Sequence, residues 1–370
     1  MRHSRRWFLS LPACAPALFP ALAKAADPPK PRVFASLAKA YKDPSTESIV
    51  FRLTDPNFTS LLGANSARPV SRRGSFLLIS SDATGTPNVF RLDYKSGEAR
   101  QLTDAQHLEP RSLTLSGDDR GFAYIDNGRL FLAPLSGARA REVYRIPEGY
   151  EIVPGLNITE DSLYATLVER KSAHHRLRLI RMADGSATTL AEADEEMRDP
   201  VPRPRRASTL YLRAGGVWLA NFDGQQNYRL RTGDGAATAA LWSPDGRGAS
   251  YLNVPADKRR LISVREFTPD TNEDKAVADT TQFAAFQRNA DGSVFVGASG
   301  SKASPHVLLL ARAVRREFTL CEHRASDPAM VAPAFSPNSQ RVFFTSDQHG
   351  KPAIYSMSVD KIVEDTSEEK

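Results

Sequence analysis

Aspartate and histidine are the residues of this sequence best suited to acid–base or metal chemistry. Asp199 could act as a general base if burial raised its pKa, although the Asp199-Pro200 pair is also a common way to begin a strand. The sequence has no nucleophile elbow, phosphate-binding glycine loop or Cys-x-x-Cys pair. Six histidines follow the amino-terminal segment, and no two have the spacing of metal ligands: His107, His174, His175, His306, His323 and His349. Spacing alone therefore predicts no metal site.

The elements that must position these side chains are short strands separated by turn residues. Two predicted hairpins are clear: residues 75–80 followed by 88–93, and residues 341–345 followed by 353–357. In both, apolar residues alternate or run over four to six positions between Gly, Pro, Asn and Asp. No segment shows a sustained helical stripe of apolar residues, so the pattern favours an all-β fold.

Turn signals recur along the chain at roughly 39–47 residues, which is the period of a four-stranded propeller blade. The predicted fold class is therefore an all-β, seven-bladed β-propeller of four-stranded antiparallel blades. Residues 49–53 form a lone strand before the first unit, and the last unit has only three clear strands. We expect the amino-terminal strand to close the ring by completing the last blade. The turn signals lie near Arg73, Asp118, Glu160, Arg206, Asp245, Asp291 and Asn338.

The amino terminus has the pattern of a cleavable export signal. Arg5 and Arg6 precede an apolar stretch over residues 9–23, and Ala23-Lys24-Ala25 fits a cleavage site. The stretch is short and broken by prolines, so no membrane span is predicted. The expected organisation is a twin-arginine signal peptide over 1–25, an N-terminal extension over 26–47, one propeller over 48–360 and an acidic disordered tail over 361–370. This predicts a periplasmic or secreted protein.

Net charge and cysteine content indicate which binding partners and disulfides can be expected. The formal net charge is +6, and the predicted signal peptide holds four basic residues and no acid, which leaves 6 − 4 = +2. So small a surplus does not predict nucleic-acid binding. Of the two cysteines, Cys14 lies in the signal and Cys321 remains, so no internal disulfide is expected. We expect a monomer.

Several motifs resemble a known family. Residues 242–246 (WSPDG) and 335–339 (FSPNS) are similar to the turns of TolB-type propellers. Three longer stretches resemble the oligogalacturonate lyases, a branch of these propellers: residues 41–54, which begin YKDPST; residues 88–103, which begin NVFRLD; and residues 344–355, FTSDQHGKPAIY. The first and last stretches lie near opposite ends of the chain, so the resemblance covers most of it.

The resemblance implies a propeller that degrades short pectin fragments by β-elimination. A base removes the proton α to a uronate carboxylate, and a divalent metal, typically manganese, neutralises the charge that develops there. The resemblance also implies several histidines and a glutamine around the metal. At three places where the family has histidine, this chain has Ala332-Pro333, Asp199-Pro200 and, ahead of Trp242, Thr238. Most implied ligands are thus absent, and manganese is expected only if the resemblance extends to the site.

Several residues are candidates to bind an acidic oligosaccharide. Arg203 matches a family arginine that binds the substrate carboxylate, unless it forms a salt bridge at the rim. Arg111, Gln282 and Asp327 lie near predicted starts of inner strands, and His349 lies in the closing stretch that matches best. Two functions stay open. One is a lyase-like propeller that cleaves or binds acidic pectin oligosaccharides, with Asp199 and Arg203 as weak catalytic candidates. The other is a non-enzymatic TolB-like periplasmic propeller that binds an oligosaccharide or a protein partner.

Overall fold

Strands account for nearly all regular structure in the protein. The computed structural model describes residues 32–366 except 65, 138 and 281, so the predicted signal peptide lies outside the described residues. The helical structure in the described part of the chain is one 3-10 turn, Pro328–Met330. No helix among these residues is long and apolar enough to cross a membrane.

The strands form seven antiparallel sheets arranged as successive blades. In each blade the first strand of the unit is innermost and the later strands lie progressively further out. Three short strands precede the first blade: β1 (Val33–Phe34), β2 (Lys39–Lys42) and β3 (Ile49–Arg52). Blade 1 contains β4 (Ser60–Leu62), β5 (Phe76–Ser81), β6 (Asn88–Asp93) and β7 (Ala99–Gln101); blade 2 contains β8 (Leu108–Leu115), β9 (Gly121–Asp126), β10 (Arg129–Pro134) and β11 (Arg141–Arg145).

The remaining blades repeat this arrangement. Blade 3 contains β12 (Glu151–Ile158), β13 (Tyr164–Lys171), β14 (His174–Arg181) and β15 (Ala187–Ala193); blade 4 contains β16 (Met197–Pro202), β17 (Ser208–Arg213), β18 (Gly216–Asn221) and β19 (Asn227–Arg229). Blade 5 contains β20 (Ala236–Trp242), β21 (Ala249–Val254), β22 (Ile262–Thr268) and β23 (Glu273–Thr280). Blade 6 contains β24 (Phe283–Arg288), β25 (Val294–Ser299), β26 (His306–Ala311) and β27 (Arg316–Glu322); blade 7 contains β28 (Ala334–Phe335), β29 (Arg341–Ser346) and β30 (Ala353–Ser358). The predicted seven-bladed, all-β fold is confirmed.

The turn after each inner strand shows why the repeat is visible in the sequence. In blade 5 the Ser243 hydroxyl donates to Asp245 Oδ1 at 2.5 Å, and the same oxygen accepts from the Arg247 N–H at 3.0 Å. Gly246 follows in the left-handed region at φ 69°, where glycine carries no steric cost. The same hydroxyl-to-side-chain contact recurs in blades 2, 3 and 7 through Ser116–Asp118, Thr159–Asp161 and Ser336–Asn338.

The amino-terminal segment belongs to two different blades. Strand β3 is hydrogen-bonded to β30, with Phe51 opposite Ser356, and β2 adds a fifth strand outside it. Strand β1 pairs with β7 on the outer edge of blade 1. The N-terminal extension predicted over 26–47 therefore contributes β1 and β2 to the sheets. These strands cover edges that would otherwise offer unpaired backbone groups.

Residues 361–366, at the start of the predicted carboxy-terminal tail, contact the rest of the fold. Val363 is buried in the core of the last blade, and the Thr366 backbone N–H donates to the Asn338 carbonyl at 3.3 Å. Burial of an apolar side chain in the core stabilises the folded position of the segment that carries it. The residues up to 366 are thus part of the folded unit.

The core lies between neighbouring blades, where apolar faces meet. One cluster joins Leu210 and Leu212 of blade 4 to Trp242 and Tyr251 of blade 5, all at most 7% exposed. Equivalent clusters fill the other contacts between blades. This packing fixes the blades around a central channel, which is the natural place for a binding site.

Candidate functional site

A cavity of about 290 Å³ lies in the central channel, where inner-strand segments from all the blades converge. Small apolar side chains form much of its wall, and the charged groups come from blades 2 and 4. The lining residues are Ala64, Ser66, Arg111, Val153, Pro154, Glu196, Arg198, Asp199, Thr238, Ala239, Ala240, Leu241, Ala284, Ala285 and Ala329.

Bulges in the inner strands bring side chains to this cavity. The inner strands of blades 2 to 6 each show a shift in pairing register with the next strand. Each shift includes a residue that lines the cavity, and a bulge re-aims a side chain that regular alternation would point elsewhere. In chain order these residues are Arg111, Pro154, Asp199, Thr238 and Ala284.

The bulge in blade 4 places an ion pair in the cavity. Asp199 has a left-handed backbone at φ 51°, which is uncommon for a residue with a Cβ. Arg198 Nη1 donates to Asp199 Oδ2 at 2.5 Å, and Arg198 Nη2 donates to the Thr238 carbonyl at 2.9 Å. Arg198 Nε also lies 3.8 Å from Glu196 Oε1. Asn157 Nδ2 donates to the Pro200 carbonyl at 2.9 Å and so holds the bulge from blade 3.

Arg111 contributes a positive charge to the cavity. No described residue forms a hydrogen bond or ion pair with its guanidinium. Glu109 lies two positions earlier on the same inner strand, and burial raises the pKa of its carboxyl. The backbone N–H and the positive charge of Arg111 act in the opposite direction and do not cancel that effect. The cavity can therefore accept an anionic group at Arg111.

Arg203 does not face the cavity. Its side chain is 7% exposed; Nε donates to the Gly246 carbonyl at 2.6 Å, and Nη2 pairs with Asp270 Oδ1 at 3.0 Å. It also stacks over the Trp242 ring at 4.9 Å. These contacts join blades 4 and 5 at the turn end of the inner strand, so the salt bridge, and not carboxylate binding, is the arrangement that the structure contains.

Three other predicted residues also lie apart from the cavity. Gln282 Oε1 accepts a hydrogen bond from Ser299 Oγ at 2.5 Å within blade 6. Asp327 caps the 3-10 turn by accepting from the Ala329 N–H at 2.9 Å. His349 Nδ1 lies 2.8 Å from the Tyr355 hydroxyl, at the turn between β29 and β30. Of the predicted site residues, Arg111 and Asp199 line the channel cavity.

The described histidines have structural contacts away from the cavity. His323 is fully buried, with Nε2 at 3.0 Å from the Ser299 carbonyl and Nδ1 accepting from the Ala325 N–H at 3.0 Å. Burial lowers the pKa of His323, which favours the neutral ring. Across residues 32–366, gaps aside, no group of three or more His, Cys, Asp or Glu side chains is arranged to hold a metal ion.

Sequence reasoning missed Arg198, Glu196 and Glu109. Arg198 and Glu196 belong to a charged run, EEMRD over residues 195–199, that ends at the Asp-Pro pair. That run was a usable signal, because charged residues at the beginning of an inner strand lie at the mouth of a propeller channel. Glu109 offered a weaker signal through its Pro110 neighbour, since proline in a strand marks an irregularity.

Comparisons with known proteins agree with the fold. Residues 30–308 match the family described as oligogalacturonate lyase. The oligogalacturonide lyase of Pectobacterium atrosepticum is 24% identical over 368 residues, which cover 85% of this chain and 94% of that protein. The oligogalacturonate lyase of Dickeya dadantii is 24% identical over 371 residues, with the same coverage of 85% and 94%. A solved oligogalacturonate lyase in complex with manganese superposes with a TM-score of 0.82 at 23% identity, covering 89% of this chain and 98% of that one.

Proposed function

The chain belongs to the oligogalacturonate lyase family, and we propose that it binds oligogalacturonides in the channel cavity, with Arg111 receiving a uronate carboxylate. The relatives that match along most of their length are lyases of oligogalacturonides or oligogalacturonate. Their substrates carry a carboxylate on each sugar, so a receptor for them needs a cation in reach of the bound chain.

The observation that supports this proposal is that the Arg111 guanidinium lines the cavity and has no hydrogen bond or ion pair with a described residue. A guanidinium binds a carboxylate through two parallel hydrogen bonds, and Arg111 has no described partner that would compete for them. Arg198 differs, because its three nitrogens already face Asp199, Thr238 and Glu196. The small side chains of blades 5 and 6 leave room for a sugar ring next to Arg111.

The residues of this channel do not fit manganese. Its lining contains no histidine, and its two carboxylates, Glu196 and Asp199, both lie against the Arg198 guanidinium. Manganese binds carboxylate, imidazole and water ligands, and a fixed cation between two carboxylates opposes it. We therefore propose that oligogalacturonides bind here without a metal. Elimination also needs a free base, which these engaged carboxylates do not supply, so binding is the function that the geometry supports best.

The substitution Arg111→Ala tests this proposal. We expect calorimetric titration with tetragalacturonate to show binding by the wild type and at least about tenfold weaker binding by R111A, because a charge-assisted carboxylate contact is lost. R247A is the matched control: it removes the same charge from a side chain that is 85% exposed on a surface turn, and it should bind like the wild type. Equal binding by R111A and wild type, or equal binding of a neutral galactose oligomer, would contradict the proposal.

A further inference from the structure

We infer that Arg198 is a built-in cation that occupies the position a divalent metal would need between Glu196 and Asp199, and that it thereby excludes such an ion from the channel. The inference concerns the same cavity as the proposed function, but it holds whichever ligand enters that cavity. It assigns to Arg198 a role in metal exclusion that the resemblance to the family does not imply.

The contacts of Arg198 use three separate nitrogens. Nη1 faces Asp199 Oδ2 at 2.5 Å, Nη2 faces the Thr238 carbonyl at 2.9 Å, and Nε lies 3.8 Å from Glu196 Oε1. Two carboxylate oxygens and a backbone carbonyl oxygen are the kind of hard donors that manganese prefers. Here all of them surround a guanidinium instead.

The charges in the cavity explain why an added metal would be excluded. The guanidinium of an arginine carries a positive charge in proteins. Arg111 adds a second positive charge to the same lining. A divalent cation would meet both guanidiniums, and it would have to take Asp199 from a partner already in contact.

The backbone holds Arg198 in this place. The register shift in blade 4 begins directly after Arg198, and Asp199 takes up a left-handed conformation there. The Asn157 side chain fixes the carbonyl of Pro200 on the far side of the bulge. The Arg198 side chain is therefore held at a bulge of an inner strand, and it is only about one-third exposed, at 34%.

Titration of the full chain with manganese, followed by electron paramagnetic resonance of the free ion, tests the inference. We expect the wild type and R198K to bind no manganese at millimolar concentrations. R198M retains most of the side-chain volume without the charge, and it should bind one ion at least about tenfold more tightly. The double variant E196Q/R198M should lose that gain. R247M is the control, because it removes the same charge from an arginine that is 85% exposed on a surface turn, and it should behave like the wild type.

Stoichiometric manganese binding by the wild type would overturn the inference, and this measurement needs no variant to fold. Binding by R198M that is no tighter than binding by the wild type, in samples with matching circular dichroism spectra, would overturn it as well. Either failure can be told apart from failure of the proposed function. If the wild type binds manganese and still binds tetragalacturonate through Arg111, only the role inferred for Arg198 is contradicted.

Discussion

Glu109 and Arg111 lie two residues apart on the inner strand of blade 2, and their opposite charges interact. Burial raises the pKa of Glu109, so its carboxyl is protonated at higher pH than an ordinary glutamate. When Glu109 is ionised, its charge opposes that of Arg111 and repels an anionic ligand. When it is neutral, Arg111 acts on the ligand alone. Protonation of Glu109 should therefore strengthen the binding of a uronate.

We expect tetragalacturonate to bind more tightly at pH 5 than at pH 7, by up to about fivefold, since Glu109 with its raised pKa carries less negative charge at the lower pH. The affinity should fall as the pH rises through the raised pKa of Glu109. In E109Q this pH dependence should flatten, with the affinity at pH 7 approaching the value at pH 5. Calorimetric titrations at the two pH values measure it. An unchanged pH dependence in E109Q would assign the effect to another group.

At the scale of single residues, the sequence located Arg111 and Asp199 but not their neighbours. Strand alternation predicts which face a side chain takes only where pairing is regular, and the cavity residues lie at bulges. Strand alternation therefore does not predict that Arg198 lines the cavity, although it lies directly beside Asp199. Arg203 forms a salt bridge with Asp270, which is the alternative to carboxylate binding that the sequence left open.

At the scale of elements, the turn between β2 and β3 is held by a single buried carboxylate. Asp43 Oδ1 accepts from the backbone N–H groups of Ser45 and Thr46 at 3.1 and 3.0 Å, and Oδ2 accepts from the Glu322 N–H at 2.8 Å. Burial alone would raise the pKa of Asp43, but these hydrogen bonds outweigh it and lower the pKa. The stretch that opens the family resemblance thus ties the closing strands to blade 6.

D43A should lower the free energy of unfolding by about 2 kcal/mol, because it leaves three partly buried N–H groups without an acceptor. Because the pKa is lower in the folded state, this stabilisation is present above the ordinary value of 3.8 and is lost as the pH falls below it. Urea unfolding at pH 7 measures the loss. D184A is the control, since Asp184 makes similar turn contacts with Ser186 on an exposed turn. A D43A midpoint as high as that of D184A would contradict this role.

The strand pattern was predictable because each blade repeats the same chemistry. The hairpin strands β5, β6, β29 and β30 were predicted within about one residue, since apolar runs and turn residues fix them locally. Strands β1 and β2 were not predicted. They contain two and four residues; β1 pairs with the distant β7, and β2 pairs with the neighbouring β3.

At the scale of the whole molecule, a period of seven similar units predicted the ring, because each unit has the same sheet-forming pattern. Function could not be predicted in the same way. The cavity gathers residues from inner-strand segments all around the ring, and their relative positions depend on how the blades pack. Export through the twin-arginine signal stays a prediction, since residues 1–25 lie outside the described part of the chain.

The central claim is that this channel binds oligogalacturonides without a metal. The direct measurement is calorimetric titration of the wild type with tetragalacturonate, in excess chelator and again with added manganese, while ultraviolet absorbance follows any unsaturated product. We predict the same affinity in both buffers and no product in either. Binding or product formation that appears only when manganese is present would contradict the account, because it would require a metal site that the described residues do not form.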